Sequence, residues 1–203
     1  MLRALGDGSI GKFLQENPSA KTFVEAPKPS PASFAAQEFW GVNAFVLVGA
    51  GGEGRTAVRY RVVPVGGRGE GGEKTLGGEE GGSKGEKSAA YLFDELEGRF
   101  AGSSSSSSSS FESKMSFKLL AQIAEDGDPT DDATKLWPED RRVVELGTME
   151  LHALLGQEES DTLQQRVIFD PIPRVDGVEA SDDPLLEMRA AVYLVSGRGR
   201  RAA

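Results

Sequence analysis

The chain has no cysteine among its 203 residues. Disulfides, thiolate metal sites and cysteine nucleophiles are thereby excluded. There is one histidine, His152. A Ser-His-Asp triad would have to use it, and a metal site with two imidazole ligands cannot form. His152 lies in "VVELGTMELHALL", which alternates like a strand, and a lone histidine there reads as a structural or surface residue. Long apolar runs are missing too: nothing approaches the ~18 consecutive apolar residues of a membrane-spanning helix. The opening "MLRALGDGSIGKF" lacks the apolar run of a secretory signal, and the closing "RAA" is not a peroxisomal tripeptide. An intracellular chain, cytoplasmic or peroxisomal, is expected. Positive charge is in deficit, with 23 Lys and Arg against 32 Asp and Glu, a net charge of −9. That disfavours nucleic acid and anionic membrane surfaces as partners. The basic tail "GRGRR" reads as a solvated end following the last helix.

What is present falls into blocks. Residues 9–25 read as helical turns restarted at Pro18, and "APKPSPASF" as an extended proline-rich connector. "FWGVNAFVLVGAGGEGRTAVRYRVVPV" reads as two strands joined by a glycine turn; Val58, Tyr60 and Val62 alternate with Arg59 and Arg61. Residues 66–88 are mostly Gly, Glu and Lys with no apolar face, and eight serines occupy 103–110. Both are expected to be disordered, as insertions at about 66–88 and 102–113. Between them, Tyr91, Leu92, Leu96 and Phe100 recur at helical spacing. "KMSFKLLAQIAED" and "VVELGTMELHAL" read as a third and a fourth strand, separated by a polar loop pinned by Trp137 and Pro138. A short helix around 159–166, the loop "IFDPIPRVDGVEAS" and a last helix follow. Ser181, Asp182 and Asp183 suit the start of that helix and Pro184 its first turn. The pattern predicts an α+β fold whose four long antiparallel strands belong to a barrel.

Two motifs fail on their physics. "GAGGEG" (49–54) follows a strand and matches the spacing of a dinucleotide-binding turn, but that turn must open a helix whose amides hold the pyrophosphate. "RTAVRYRVVPV" has strand period instead, so a hairpin turn is expected. "DGDPTDD" (126–132) looks like a calcium loop, yet counting from Asp126 puts Asp131 and Trp137 where glycine and glutamate are needed. An acidic solvated loop is the better reading.

The last loop and helix carry more. "FDPIPRVDGVEASDDPLLEMRAAVY" resembles the haem-proximal segment of the monofunctional haem catalases, in which F-D-P and G-[IV]-E-x-S precede a helix carrying R-x-x-x-Y. Phe169, Asp170, Pro171, Gly177, Glu179, Ser181, Arg189 and Tyr193 match without a gap. "GVNAFVLVGAGGEGRTAVRYRVVP" is similar to the family's paired central strands, "YLFDEL" to its following helix, "FKLLAQIAEDGDPTDDATKLWPED" to its D-P-T…W-P strand and loop, and "VELGTMEL" to its last strand. The nearest resemblance is to the short catalase-related haem peroxidases. It makes residues 1–203 the C-terminal part of a catalase core domain and the fold a partial catalase-type β-barrel with peripheral helices.

The resemblance implies haem b as cofactor, Tyr193 as the axial iron ligand, Arg189 as its partner, and Phe169, Pro171 and Leu185 near the proximal face of the haem. The residue types suit the roles. A tyrosine phenol ionises near pH ~10, so a phenolate at pH 7 costs about 4 kcal/mol, which bonding to ferric iron offsets. A guanidinium one helical turn away adds a fixed positive charge. The family has basic residues beyond the tyrosine that reach the haem propionates; here the tail "LVSGRGRR" offers Arg198 and Arg200, without a matched register. The implied function is decomposition of hydrogen peroxide or an organic peroxide, with an organic electron donor in a peroxidase cycle; an oligomer is compatible with it. The family's distal histidine and asparagine belong to the N-terminal half of its domain. His152 does not match that position, and Asn43 lies in the fifth-strand region and is not assigned to it. The expectation is a fragment with little activity alone; the alternative is a catalytically inactive haem-binding or interaction module.

Overall fold

The computed structural model describes residues 9–26, 30–65, 88–101 and 115–202. The expected insertions lie almost wholly outside these ranges. The chain divides into two compact units. In the first, α1 (Ile10–Glu16) and α2 (Pro18–Glu25) meet at Asn17, with Pro18 at the first turn of α2, where its missing N–H has no intrahelical partner to lose.

The second unit holds an antiparallel sheet of six strands among the described residues: β1 (Phe39–Trp40), β2 (Phe45–Val48), β3 (Arg55–Pro64), β4 (Met115–Ile123), β5 (Val143–Leu151) and β6 (Val178–Ala180). The spatial order is β5-β4-β3-β2-β6, with β1 pairing on β3. The sheet is open, not a closed barrel. Two short strands join the four expected ones. The single expected run from Phe39 to Val48 is split at Gly41–Ala44, and β6 emerges from what reads as loop, pairing Val178–Ala180 with Phe45–Leu47. "GAGGEG" is the hairpin turn between β2 and β3: Gly51, Gly52 and Gly54 take positive φ, a conformation open to glycine, and the Gly49 amide donates to the Gly54 carbonyl at 3.0 Å.

Register sorts the two faces. Phe45 opposes Val58, Val58 opposes Ile123, Tyr60 opposes Ala121 and Val62 opposes Leu119, so these side chains share one apolar face. Helix α3 (Tyr91–Ala101) lies over one end of it, where Phe100 joins Met115 and Phe117 in a core flanked by Phe34, Val62 and Leu96. Each such burial contributes roughly 1.5–3 kcal/mol. The opposite face carries Arg59, Arg61, Lys118 and Gln122. Loop 124–142 folds onto it: Gln122 Nε2 donates to the Pro138 carbonyl at 3.0 Å and Trp137 is buried. This loop is therefore packed, not a solvated run, and Asp128 is tied to Arg141 at 2.8 Å.

Helices α4 (Gln157–Arg166) and α5 (Pro184–Ala202) complete the unit. The basic tail is not a free end: Arg198, Arg200 and Arg201 lie within α5, and Arg200 donates to the carbonyls of Gln164 (2.9 Å) and Val167 (2.6 Å) at the end of α4. Gly197 permits this approach, because a Cβ there would stand 3.1 Å from Ile168.

Candidate functional site: the tyrosine-bearing helix and its buried clamp

The start of α5 is built by its own residues. Asp183 precedes Pro184, and its Oδ1 accepts from the Leu185 amide at 2.9 Å, satisfying one of the otherwise partnerless donors of the first turn. Ser181 Oγ accepts from the Asp183 amide at 3.4 Å. Leu186, 1% exposed, anchors the turn in the interior.

That anchoring brings three sequence-distant side chains together. Asn43, 3% exposed, donates from Nδ2 to the other Asp183 oxygen at 2.9 Å, and its Oδ1 accepts from Arg189 Nη1 at 2.6 Å. The amide thus bridges the carboxylate at the start of α5 and the guanidinium one and a half turns on. Because both of its ends are engaged, Asn43 belongs to the helix side of the site. Arg189 in turn lies with its Cζ 5.6 Å from the centre of the Tyr193 ring, both side chains half-buried. The i,i+4 spacing in the sequence becomes a real contact, and the arginine is oriented from behind by a neutral buried partner.

The remaining expected site residues are placed less tightly. Leu185 is half-buried in the first turn of α5, and Pro171 is half-buried in the preceding loop. Phe169 is 63% exposed, and Met188 and Val192, adjacent in sequence to Arg189 and Tyr193, are 59% and 58% exposed. The loop has its own frame: Asp170 accepts from the Ile172 amide at 2.9 Å and from Arg174 at 2.6 Å, and the Arg174 hydrogen bond holds its carboxyl below the ordinary carboxylate range. Glu179 on β6 accepts from Arg55 at 2.6 Å, with the same effect on its carboxyl. His152 stands beyond the end of β5, largely exposed, 3.6 Å from a Glu150 oxygen.

The likeness to known proteins extends over nearly the whole chain, the segment with this clamp included. The family model for catalase matches residues 12–203. The chain belongs to the catalase family. It is 32% identical over 167 residues to a catalase-related peroxidase of Mycolicibacterium paratuberculosis, covering 82% of this chain and 46% of that protein. It is 28% identical over 184 residues to a catalase-related peroxidase of Synechococcus elongatus, covering 89% and 47%. The chain therefore spans just under half the length of these relatives. Among solved structures, a bacterial catalase superposes with a TM-score of 0.66 at 19% identity, over 93% of this chain and 35% of that one. The partial catalase-type fold is thus shown, open where a barrel would close. Among the described residues, no helix is long and apolar enough to cross a membrane.

Proposed function

We propose that this catalase-family chain supplies the tyrosine-bearing side of a haem b site for peroxide decomposition. The observation that carries the reading is the clamp: a half-buried tyrosine with a guanidinium over its ring, and that guanidinium fixed by Asn43 and, through it, by Asp183. The residues fit the group. Tyr193 offers iron an oxygen ligand, Arg189 offers that oxygen a permanent positive charge, and Phe169, Met188 and Val192 leave apolar surface open that a flat macrocycle would cover. Pro171 and Leu185 would line the same side. When bound, haem b would supply the redox chemistry on hydrogen peroxide or an organic peroxide, with an organic donor completing a peroxidase cycle. The part of this chain is to bind, to orient the phenol and to stabilise its ionised form.

The proton handling on the peroxide side is not provided for by these residues. Asn43 is committed at both ends of its amide, and His152 faces solvent beside Glu150. The haem-loaded chain alone is accordingly expected to release oxygen from hydrogen peroxide no faster than free haemin does. A haemin titration followed by absorbance tests the reading. Saturable binding with a phenolate-ligated ferric spectrum, lost in Tyr193→Phe, is the expected result; binding that is unspecific or indifferent to that substitution refutes it. A haem-loaded chain with oxygen release well above free haemin would overturn the assignment of this half as inactive by itself. Specific haem binding without any turnover, even when the remainder of a catalase fold is supplied, would point to the alternative, a haem-binding or interaction module.

A further inference from the structure

We propose that Arg59 is a positioning residue for the Arg189–Tyr193 pair: the carbonyls of loop 124–142 hold its guanidinium in the interior, and its charge there fixes the Asp183 carboxylate that in turn holds Asn43 and Arg189. This rests on Arg189 and Tyr193 being the working pair of the site. Arg59 sits in the middle of β3, 7% exposed. A guanidinium so buried needs hydrogen-bond acceptors and a countercharge. Its acceptors are all neutral main-chain groups: Nη1 donates to the Lys135 carbonyl at 2.7 Å, and Nη2 to those of Asp132 and Pro129 at 3.2 and 3.3 Å. The indole of Trp137 lies 4.4 Å below the guanidinium and ties its own Nε1 to the same Pro129 carbonyl at 2.7 Å. None of these neutralises the cation, and among the described residues Nε has no hydrogen-bond partner.

The complementary situation exists a short way off. Asp183 is 5% exposed, and among the described residues its oxygens accept from the Asn43 amide and the Leu185 N–H, both neutral donors. The register places Arg59 near the stretch that holds the partner of Asp183. Val58 opposes Phe45, so Arg59 lies beside the Gly41–Ala44 break that carries Asn43. Burial pushes the Arg59 guanidinium down from its ordinary value, and the carboxylates of Asp183, Asp128 and Asp132 act in the opposite direction. Arg59, Asn43, Ala44 and Asp183 are all at most 7% exposed, so this block is closed to water. In such surroundings opposite charges act on each other beyond contact distance. A residue that merely pinned the loop would need the forked donors but not the charge.

The experiment uses the chain without haem, so a failure of haem binding leaves it readable. Thermal unfolding is measured for Arg59→Gln, Asp183→Asn and the double variant, with Arg59→Lys as the background that keeps the charge. The expected result is strong coupling: Asp183→Asn lowers Tm less than half as much in the Arg59→Gln background as in the parent, and nearly as much in the Arg59→Lys background as in the parent. Equal losses in all three backgrounds would overturn the proposal. The Arg189 Nε–H signal in a nitrogen-15 NMR spectrum gives the second readout, and the one that decides if Arg59→Gln does not fold. It should stay near its parent position in Arg59→Lys and move in Asn43→Ala. An Arg59→Lys displacement as large as that of Asn43→Ala would also overturn the proposal. Coupling in a chain that binds no haemin would refute the haem reading and leave this device standing.

Discussion

The two ends of the sheet differ in almost every respect. Around β2, β3 and the start of α5, polar side chains go inside and find partners: Asn43, Arg59 and Asp183 are at most 7% exposed and all carry hydrogen bonds. At the other end β5 pairs, among the described residues, with β4 alone, and eight of its nine residues are exposed, Leu146, Met149 and Leu151 at 41–45%. An apolar cavity of about 470 Å³ opens there, lined by Phe39, Phe117, Met149, Leu151 and Leu154 among others. One region has spent its polar residues on a specified geometry; the other keeps apolar residues without a specified neighbour. The lesson is where precision is concentrated: a buried polar group tolerates only one arrangement, because leaving it without a partner costs about 1–3 kcal/mol, whereas exposed apolar side chains impose none.

The sharpest way to break the contrast is to empty the packed corner. Leu186→Ala should cost about 2–5 kcal/mol of unfolding free energy, since a side chain at 1% exposure leaves a cavity that its neighbours cannot wholly fill. Denaturant titration checks it, and a loss under about 1 kcal/mol would mean the corner collapses freely. Next is Asn43→Ala, which strands the Asp183 carboxylate on one side and Arg189 on the other. A loss of about 1–3 kcal/mol is expected, accompanied by release of Arg189 from Tyr193. Asn43→Asp is the informative companion. It keeps the acceptor for Arg189 but sets a second carboxylate against Asp183, so the Arg189 contact should survive while stability still falls.

How much of this was legible in the sequence follows the same division. The i,i+4 Arg189–Tyr193 pair and the Asp183–Pro184 helix start are local, and local rules of spacing and capping read them directly. The glycine hairpin was legible because a strand period follows it. Asn43 was not, since its partners are 140 and 146 residues away and no short-range rule reaches them. Its signal was a polar residue inside the apolar run "GVNAFVLV", which in a buried strand must find a partner. The break at Gly41–Ala44 was hidden by that same run. Strand β6 is three residues in a proline-containing loop and exists because β2 offers it an edge. The helical tail crosses Gly197 and Gly199, each unfavourable by about 1 kcal/mol, and the Arg200 hydrogen bonds to α4 outweigh that local preference.

Acid sharpens the comparison from the electrostatic side. Asp128 is held below the ordinary carboxylate range, first by its hydrogen bond from Arg141 and then by the Glu125 amide; Asp170 and Glu179 are lowered in the same direction by Arg174 and Arg55. A carboxylate with a depressed folded value contributes stability above its unfolded value, near ~4, and loses it as pH falls through the folded value. Stability should therefore hold from neutral pH down to roughly 4 and decline below it. Arg141→Leu should flatten the part of that decline that belongs to loop 124–142. An acid profile unchanged by this substitution would show that Asp128 is not a contributor.

The smallest effect belongs to β5. Met149→Lys and Leu146→Lys place charge on side chains already more than 40% exposed, so unfolding free energy should change by no more than about 0.5 kcal/mol. The solution behaviour is a different matter, because a nine-residue strand at the end of the described sheet with exposed apolar side chains is a template for pairing with another chain, and lysine there is a common way of preventing it. Light scattering at rising concentration should show association in the parent and less of it in the double lysine variant, with the Arg189–Tyr193 contact unmoved. A loss of several kcal/mol from either substitution would mean that β5 is as closely specified as the clamp, and the contrast between the two ends of the sheet would be gone.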